Sequence, residues 1–193
     1  KDLDLITQFE SGIKTIDRTY FDVIQLIENV FELLEMQATK NKITIVFDKE
    51  YPTHQMVFAD EERIQQVLTN LIINSLKYGV EKGKTEVAIQ ELNPEKIIVR
   101  ITDNGEGVAE EHLPRLFERF YRVDKARARE TGGTGLGLAI VRHVANNHGG
   151  VVSVQSQEGE GSTFAFRLPA RLIEPANTSP AASQPTKVSP TDE

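Results

Sequence analysis

Two pairs of alternating segments limit what this chain can become. "TEVAIQEL" (Thr85–Leu92) and "KIIVRIT" (Lys96–Thr102) flank Asn93-Pro94, and "VVSVQSQ" (Val151–Gln157) and "STFAFRL" (Ser162–Leu168) flank "EGEG". Period-two alternation with β-branched and aromatic residues predicts two β-hairpins, each with one apolar face that needs a covering layer. The same sequence supplies the cover. Behind Asp22, an N-cap residue, Val23, Ile24, Leu26, Ile27, Val30, Phe31, Leu33 and Leu34 recur at helical spacing to about Asn41. Asp60–Tyr78 and Gly135–His148 read as two further helices, and "EEHLPRLFERF" as a short one. "KITIVF" (Lys42–Phe47) and "QMVFA" (Gln55–Ala59) add strands. The expected fold is α+β: a two-layer α/β sandwich, its mixed, mostly antiparallel sheet packed against three helices.

Composition narrows the function classes. The chain has no cysteine, which excludes disulfides, thiolate metal sites and Cys nucleophiles. A net charge of -7 argues against general nucleic-acid binding. No apolar run approaches the ~20 residues of a membrane span. Opening on Lys1 rather than Met, the chain reads as a piece of something longer. Leu3, Leu5, Ile6 and Phe9 read as the end of a helix stopped by Ser11-Gly12. Beyond Leu172, Pro175, Pro180, Pro185 and Pro190 recur among Ser, Thr and Ala, the composition of a disordered tail.

The second helix carries an unusual polar face. Ile64, Val67, Leu68, Leu71, Ile72 and Leu76 form its apolar stripe; Gln66, Asn70, Asn74 and Lys77 fall together roughly opposite. A merely solvated face is usually built from Glu, Lys, Gln or Arg. Asn costs roughly a few tenths of a kcal/mol in a helix interior relative to Ala, so two of them one turn apart suggest chemistry. Neutral carbonyl oxygens at that spacing suit a hard cation such as Mg²⁺ that also carries phosphate oxygens, and Lys77 can reach a phosphate. In "RITDNGEGV", Asp103 ends a strand and Gly105 and Gly107 alternate behind it. A strand-end carboxylate can accept a hydrogen bond from an exocyclic amine, and the glycines let a flat ligand come close; a plain Asn-Gly hairpin turn is the competing reading. Finally, "RETGGTGLGLAIVRHV" places Gly132, Gly133, Gly135 and Gly137 at a helix start, a phosphate-binding arrangement. It spells neither the P-loop nor G-x-G-x-x-G.

In order along the chain, these segments resemble the ATP-binding domain of sensor histidine kinases, within the gyrase/chaperone/histidine-kinase superfamily. "QQVLTNLIINSLKYG" resembles the N box, "DNGEGV" the first glycine box, "LFERFYRVDKARARE" the F box, "GGTGLGLAIVRHVANNHGG" the second glycine box and "GEGSTFAFRLP" the final strand motif. The resemblance covers about Tyr20 to Leu172. It implies three parts: residues 1–19 as the end of the second helix of a dimerisation and phosphotransfer domain, 20–172 as the catalytic domain, and 173–193 as the tail.

The resemblance also implies roles for residues. Asn74 ligates Mg²⁺, with Asn70 supporting it and contacting phosphate. Lys77 meets phosphate and Arg122 approaches the γ-phosphate, which makes Asn70, Lys77 and Arg122 the catalytic set. Tyr78 lies by the adenine or ribose and Tyr121 packs near the base. Asp103 hydrogen-bonds the adenine amine, with Gly105, Gly107 and Val108 allowing close approach. Phe117 and Phe120 anchor a mobile ATP lid from about Glu110 to Thr134. Gly133, Thr134, Gly135, Leu136, Gly137 and Leu138 shape the phosphate site, and Thr163 lies near the base. Two departures stand out. The family's phosphoacceptor is a His followed by an acid on a helix, and none of His54, His112, His143 and His148 has that setting; each is expected to be structural or exposed. Where gyrase-type ATPases carry a water-activating Glu, this chain has Asn70, a poor base. The implied reaction is transfer of the γ-phosphoryl group of Mg–ATP to a His of the dimerisation domain of the same parent protein, with a response regulator receiver domain as the further partner. An ATP-hydrolysing switch is the alternative, and a degenerate partner-binding domain a third reading. The implied setting is a cytoplasmic domain, monomeric as this piece and homodimeric in its parent, whether or not that parent is membrane-anchored.

Overall fold

The computed structural model describes Asp4, Thr7 and residues 15–51, 54–125 and 132–169. Most of the expected N-terminal helix end, the middle of the expected lid (126–131) and the tail lie outside the described residues. Elements run β1 (Thr19–Asp22), α1 (Val23–Asn41), β2 (Thr44–Phe47), β3 (Met56–Ala59), α2 (Glu61–Tyr78), β4 (Lys84–Asn93), β5 (Lys96–Asp103), a 3₁₀ helix (Glu110–Arg115), α3 (Gly137–Asn147), β6 (Val151–Gln157) and β7 (Gly161–Pro169).

Five strands form one sheet in the order β2-β4-β5-β7-β6, parallel between β2 and β4 and antiparallel elsewhere. Both predicted hairpins are present, and they join where β5 pairs with β7. The three α-helices cover one face. Ile27 and Val30 of α1, Leu68 and Leu71 of α2, and Ile140 and Val141 of α3 meet Val87, Val99, Ile101 and Phe166 of the sheet, each at most 1% exposed. The six stripe residues of α2 are all buried. At roughly 1.5–3 kcal/mol each, their burial outweighs by an order of magnitude the helix-propensity loss at Asn70 and Asn74. Packing therefore lets α2 carry poor helix formers on its polar face. Leu33, counted with the stripe of α1, is instead 62% exposed. No helix among the described residues is long and apolar enough to cross a membrane.

Three local departures have physical causes. β3 does not join the main sheet; it pairs antiparallel with β1 in a separate two-stranded sheet. "TYFD" is too short to show alternation and runs straight into a helix cap, so only its partner reveals it as a strand. The short helix over Glu110–Arg115 is 3₁₀, with Pro114, which has no N–H to donate, inside it. And α3 starts at Gly137 rather than Gly135, because Gly135 takes φ +72°, outside helical space.

A buried histidine ties two helices together. Asp60 caps α2, its Oδ1 accepting from the Arg63 N–H at 3.1 Å and its Oδ2 from the Asp17 N–H at 3.2 Å. The Asp60 N–H donates to His148 Nε2 at 3.1 Å, while His148 Nδ1 lies 2.9 Å from the Val144 carbonyl. The two contacts select the Nδ1–H tautomer, with Nδ1 donating and Nε2 accepting. His148 is 1% exposed. Burial lowers its pKa below 6.5, the nearby Arg18 charge adds to this, and the Val144 hydrogen bond and Asp60 oppose it. The unfolded chain therefore binds a proton that the folded chain resists. Stability from this group is complete above the unfolded pKa and declines as pH falls below 6.5. We predict that His148→Leu costs about 1–3 kcal/mol near neutral pH and flattens the decline in urea-unfolding stability between neutral and acidic pH; an unchanged slope would refute the assignment.

Candidate functional site

The site forms where the C-terminus of α2, the β5 turn, the start of α3 and the segment after the 3₁₀ helix meet. Its first wall is the turn "DNGEG". The Asp103 carboxylate accepts the Gly105 N–H at 2.9 Å, and the Glu106 N–H donates to the Tyr78 carbonyl at 3.2 Å. A Cβ on Gly105 would lie 2.5 Å from that same carbonyl oxygen, so the turn is laid directly on the end of α2. Gly107 takes φ +68°, and a Cβ there would fall on the Gln157 carbonyl. The Val108 N–H donates to Ser156 Oγ at 2.8 Å, and Ser156 Oγ lies 2.7 Å from Ser162 Oγ. The turn is thus stitched to the β6–β7 hairpin. Burial raises the pKa of Asp103, against the lowering effect of hydrogen bonds from the Gly105 and Ser162 backbone. The result is a half-buried carboxylate at a strand end, a suitable acceptor for a neutral N–H donor.

The second wall is cationic. A Cβ on Gly133 would stand 2.9 Å from Lys77 Nζ and 3.3 Å from an Arg122 Nη, and one on Gly135 would stand 3.4 Å from Arg122 Nε. Lys77 and Arg122, distant in sequence, therefore converge on one glycine within about 6 Å of each other. Two cationic side chains brought to one place suit a polyanionic group. Asn70, half-buried, donates its amide to the Gly137 carbonyl at 3.3 Å, which leaves its side-chain oxygen as an acceptor. Asn74, one turn on, is also half-buried, and its side chain makes no hydrogen bond among the described residues. The whole Gln66–Asn70–Asn74–Lys77 face is half-buried rather than solvated. Among the described residues no three His, Cys, Asp or Glu gather as a metal cluster. A cation at this face would rest on amide oxygen and on ligand phosphate, as the donor types suggest. Thr134 Oγ1 accepts the Leu136 N–H at 3.3 Å, Leu136 is 2% exposed, and Leu138 packs against the core.

The third part is the segment around Phe117–Arg122. Phe117 packs edge-on against Phe164 with ring centroids 6.1 Å apart. Phe120 does not anchor through its ring, which is 60% exposed. What anchors there is backbone: Phe120 adopts φ +62°, and its N–H donates to the Gly135 carbonyl at 2.9 Å. The Tyr121 hydroxyl lies 2.5 Å from His112 Nδ1, and the Arg115 guanidinium stands 4.4 Å over the Tyr121 ring. Tyr78 closes α2, with Lys77 Nζ 5.5 Å over its ring.

Thr163 borders the same depression as Asp103, Ser156 and Ser162. It faces away from the core, with its Oγ1 3.1 Å from Thr102 Oγ1. Ser162, on the core face with Phe164 and Phe166, is the residue paired with Asp103. The register of β7 against β5 distinguishes the two. Ser156 and His112 carried no sequence signal, because their partners lie on other elements. The remaining histidines are structural or exposed: His148 is buried, His54 meets Asp22 and His143 meets Asn147.

Comparison with known proteins adds family context. The family described as Histidine kinase-, DNA gyrase B-, and HSP90-like ATPase matches residues 59–172. Sensor histidine kinase WalK of Bacillus subtilis (strain 168) is 35% identical over 87% of this chain, which spans 27% of that protein. Full-length ShkA, solved in complex with AMPPNP, superposes with a TM-score of 0.76 at 28% identity, covering 89% of this chain and 35% of that one. The catalytic domain of histidine kinase ThkA matches with a TM-score of 0.67 at 31% identity, covering 79% of this chain and 95% of that one. ThkA is also known in complex with the response regulator protein TrrA (TM-score 0.66, 26% identity, 87% of this chain and 48% of that one).

The geometry predicts that Gly107→Ala is among the costliest small changes in the turn. A non-glycine residue at that φ costs about 1–3 kcal/mol, and the displaced Gln157 carbonyl adds to it. Urea unfolding should show this loss, and an unchanged midpoint would contradict the close approach.

Proposed function

The chain belongs to the histidine kinase-, DNA gyrase B- and HSP90-like ATPase family, and we propose that it is the catalytic ATP-binding domain of a sensor histidine kinase. The observation that carries this reading is the convergence of Lys77 and Arg122 on Gly133, at the end of the helix that carries the amides of Asn70 and Asn74 and that receives the turn of Asp103. In the proposed complex, Asp103 accepts the adenine amine, with Tyr78, Val108 and Ser162 around the base. Lys77 and Arg122 face the phosphates together with the backbone of Gly133, Thr134 and Gly135. Asn74, with Asn70 beside it, would hold Mg²⁺, which neutralises phosphate charge when bound.

In the reaction, the bond from the γ-phosphorus to the ADP oxygen breaks as a histidine nitrogen bonds to that phosphorus. Such a transfer asks the protein for positioning and charge neutralisation, which two converging cations supply. The acceptor histidine is proposed to come from the dimerisation and phosphotransfer domain of a homodimeric parent, since His54, His112, His143 and His148 are each followed by a non-acidic residue. A response regulator receiver domain would take the phosphoryl group next, and a cytoplasmic placement suits that exchange. Residues 1–19 are proposed, by resemblance, as the end of the preceding helical domain, and 173–193, by composition, as a disordered tail. Against a hydrolytic switch stands Asn70, which cannot activate water as a carboxylate would.

Two tests follow. Mixed with a separately supplied dimerisation domain and labelled ATP, the chain should form phosphohistidine; rapid ATP hydrolysis with no transfer would favour the switch instead. Asn74→Ala should lower Mg²⁺-dependent ATP affinity at least about tenfold in titration calorimetry, and an unchanged affinity would remove Asn74 from the metal site.

A further inference from the structure

The 3₁₀ helix Glu110–Arg115 packs beside β6, behind the first wall, and holds a specific polar contact. We infer that His112 is a positioning residue that sets Arg122 at the anionic end of the site by fixing Tyr121; the inference rests on the nucleotide reading above.

His112 Nδ1 lies 2.5 Å from the Tyr121 hydroxyl, and His112 Nε2 lies 3.4 Å from Glu111 Oε1. The Glu111 carboxylate can only accept, so it favours a proton on Nε2 and leaves Nδ1 to accept the phenolic O–H. Glu111 thus supports the imidazole that supports the tyrosine. The Tyr121 ring is held on its face as well. The Arg115 guanidinium sits 4.4 Å above it and is itself held by Glu118 at 3.1 and 3.0 Å.

Packing alone would need only a phenylalanine at position 121. The hydroxyl serves an aim that packing does not. Immediately before it, the Phe120 N–H is bonded to the Gly135 carbonyl, and Tyr121 N–H donates to the Glu118 carbonyl at 3.3 Å. Immediately after it, Arg122 reaches the space over Gly133 and Gly135 where Lys77 also stands. Arg122 therefore leaves a backbone whose preceding side chain is clamped on its hydroxyl and its ring face. Few torsions separate the clamp from the guanidinium. Releasing the clamp widens the region Arg122 samples, so fewer chains present both cations together. The effect falls on the terminal phosphate, the group Arg122 is proposed to meet, and spares the base.

The experiment compares Mg–ATP and Mg–ADP binding for the full chain and its variants by titration calorimetry, with thermal midpoints alongside. His112→Ala and Tyr121→Phe should each lower the ATP-over-ADP affinity ratio about 3- to 10-fold, the range expected for one hydrogen bond. The double variant should lose no more than either single one, and His112→Asn, which keeps an acceptor near the Nδ1 position, should recover most of the ratio. In ¹⁵N spectra, wild-type His112 should show a non-protonated Nδ1 whose resonance moves in Tyr121→Phe. Equal losses of ATP and ADP affinity, additive losses in the double variant, or an Nδ1 insensitive to Tyr121→Phe would overturn the inference. A wild-type chain that binds neither nucleotide overturns the nucleotide reading instead, and a wild-type ratio matched by both variants overturns only the role of His112.

Discussion

Everything at the site depends on how α2 is held at its two ends. Its N-terminus is capped by Asp60, whose own N–H is bonded to the buried His148 at the end of α3. Its C-terminus offers the Tyr78 carbonyl to the Glu106 N–H of the "DNGEG" turn. Between them, the buried stripe presses the helix onto the sheet and α1. A helix clamped in this way can carry Asn70, Asn74 and Lys77 on its outer side without choosing them for stability. Its midpoint is tied too, since Asn70 reaches the first residue of α3. The two helices and the turn are therefore tied into one frame.

Within that frame the chemistry is mainly electrostatic. The chain carries a net charge of -7, yet two cations are brought to one glycine. Backbone N–H groups at a helix start favour anions as well. At the other end, the half-buried carboxylate of Asp103 is held by backbone donors from two strands' ends. A ligand with a neutral amine at one end and a polyanion at the other matches both walls. The ties from the turn to Ser156 and Ser162 brace the Asp103 wall, whereas the cationic wall draws Arg122 from a separate segment.

Most of the fold was legible in the sequence because each helix and hairpin has a strong period of its own. The stripe of α2, the two hairpins and the cap at Asp22 all appear as local patterns and all stand in the structure. What escaped was non-local. β1 has no pattern of its own and exists through pairing with β3. Phe120 reads as an apolar anchor, but its left-handed backbone turns the ring outward and leaves its N–H to do the anchoring. Thr163 and Ser162 are neighbours of similar chemistry, and the register of β7 against β5 places only Ser162 beside Asp103.

The sequence by itself determined the elements and the types of group available: amides on a helix, a strand-end carboxylate, glycines before a helix, and two cations far apart in the chain. These are properties of residues and of short-range periodicity. The tertiary structure decided which of those groups meet. Lys77 and Arg122 converge, His112 finds Tyr121, and His148 closes the gap between two helix ends, because loop conformation, strand register and packing relate segments whose spacing in the chain carries no distance in space.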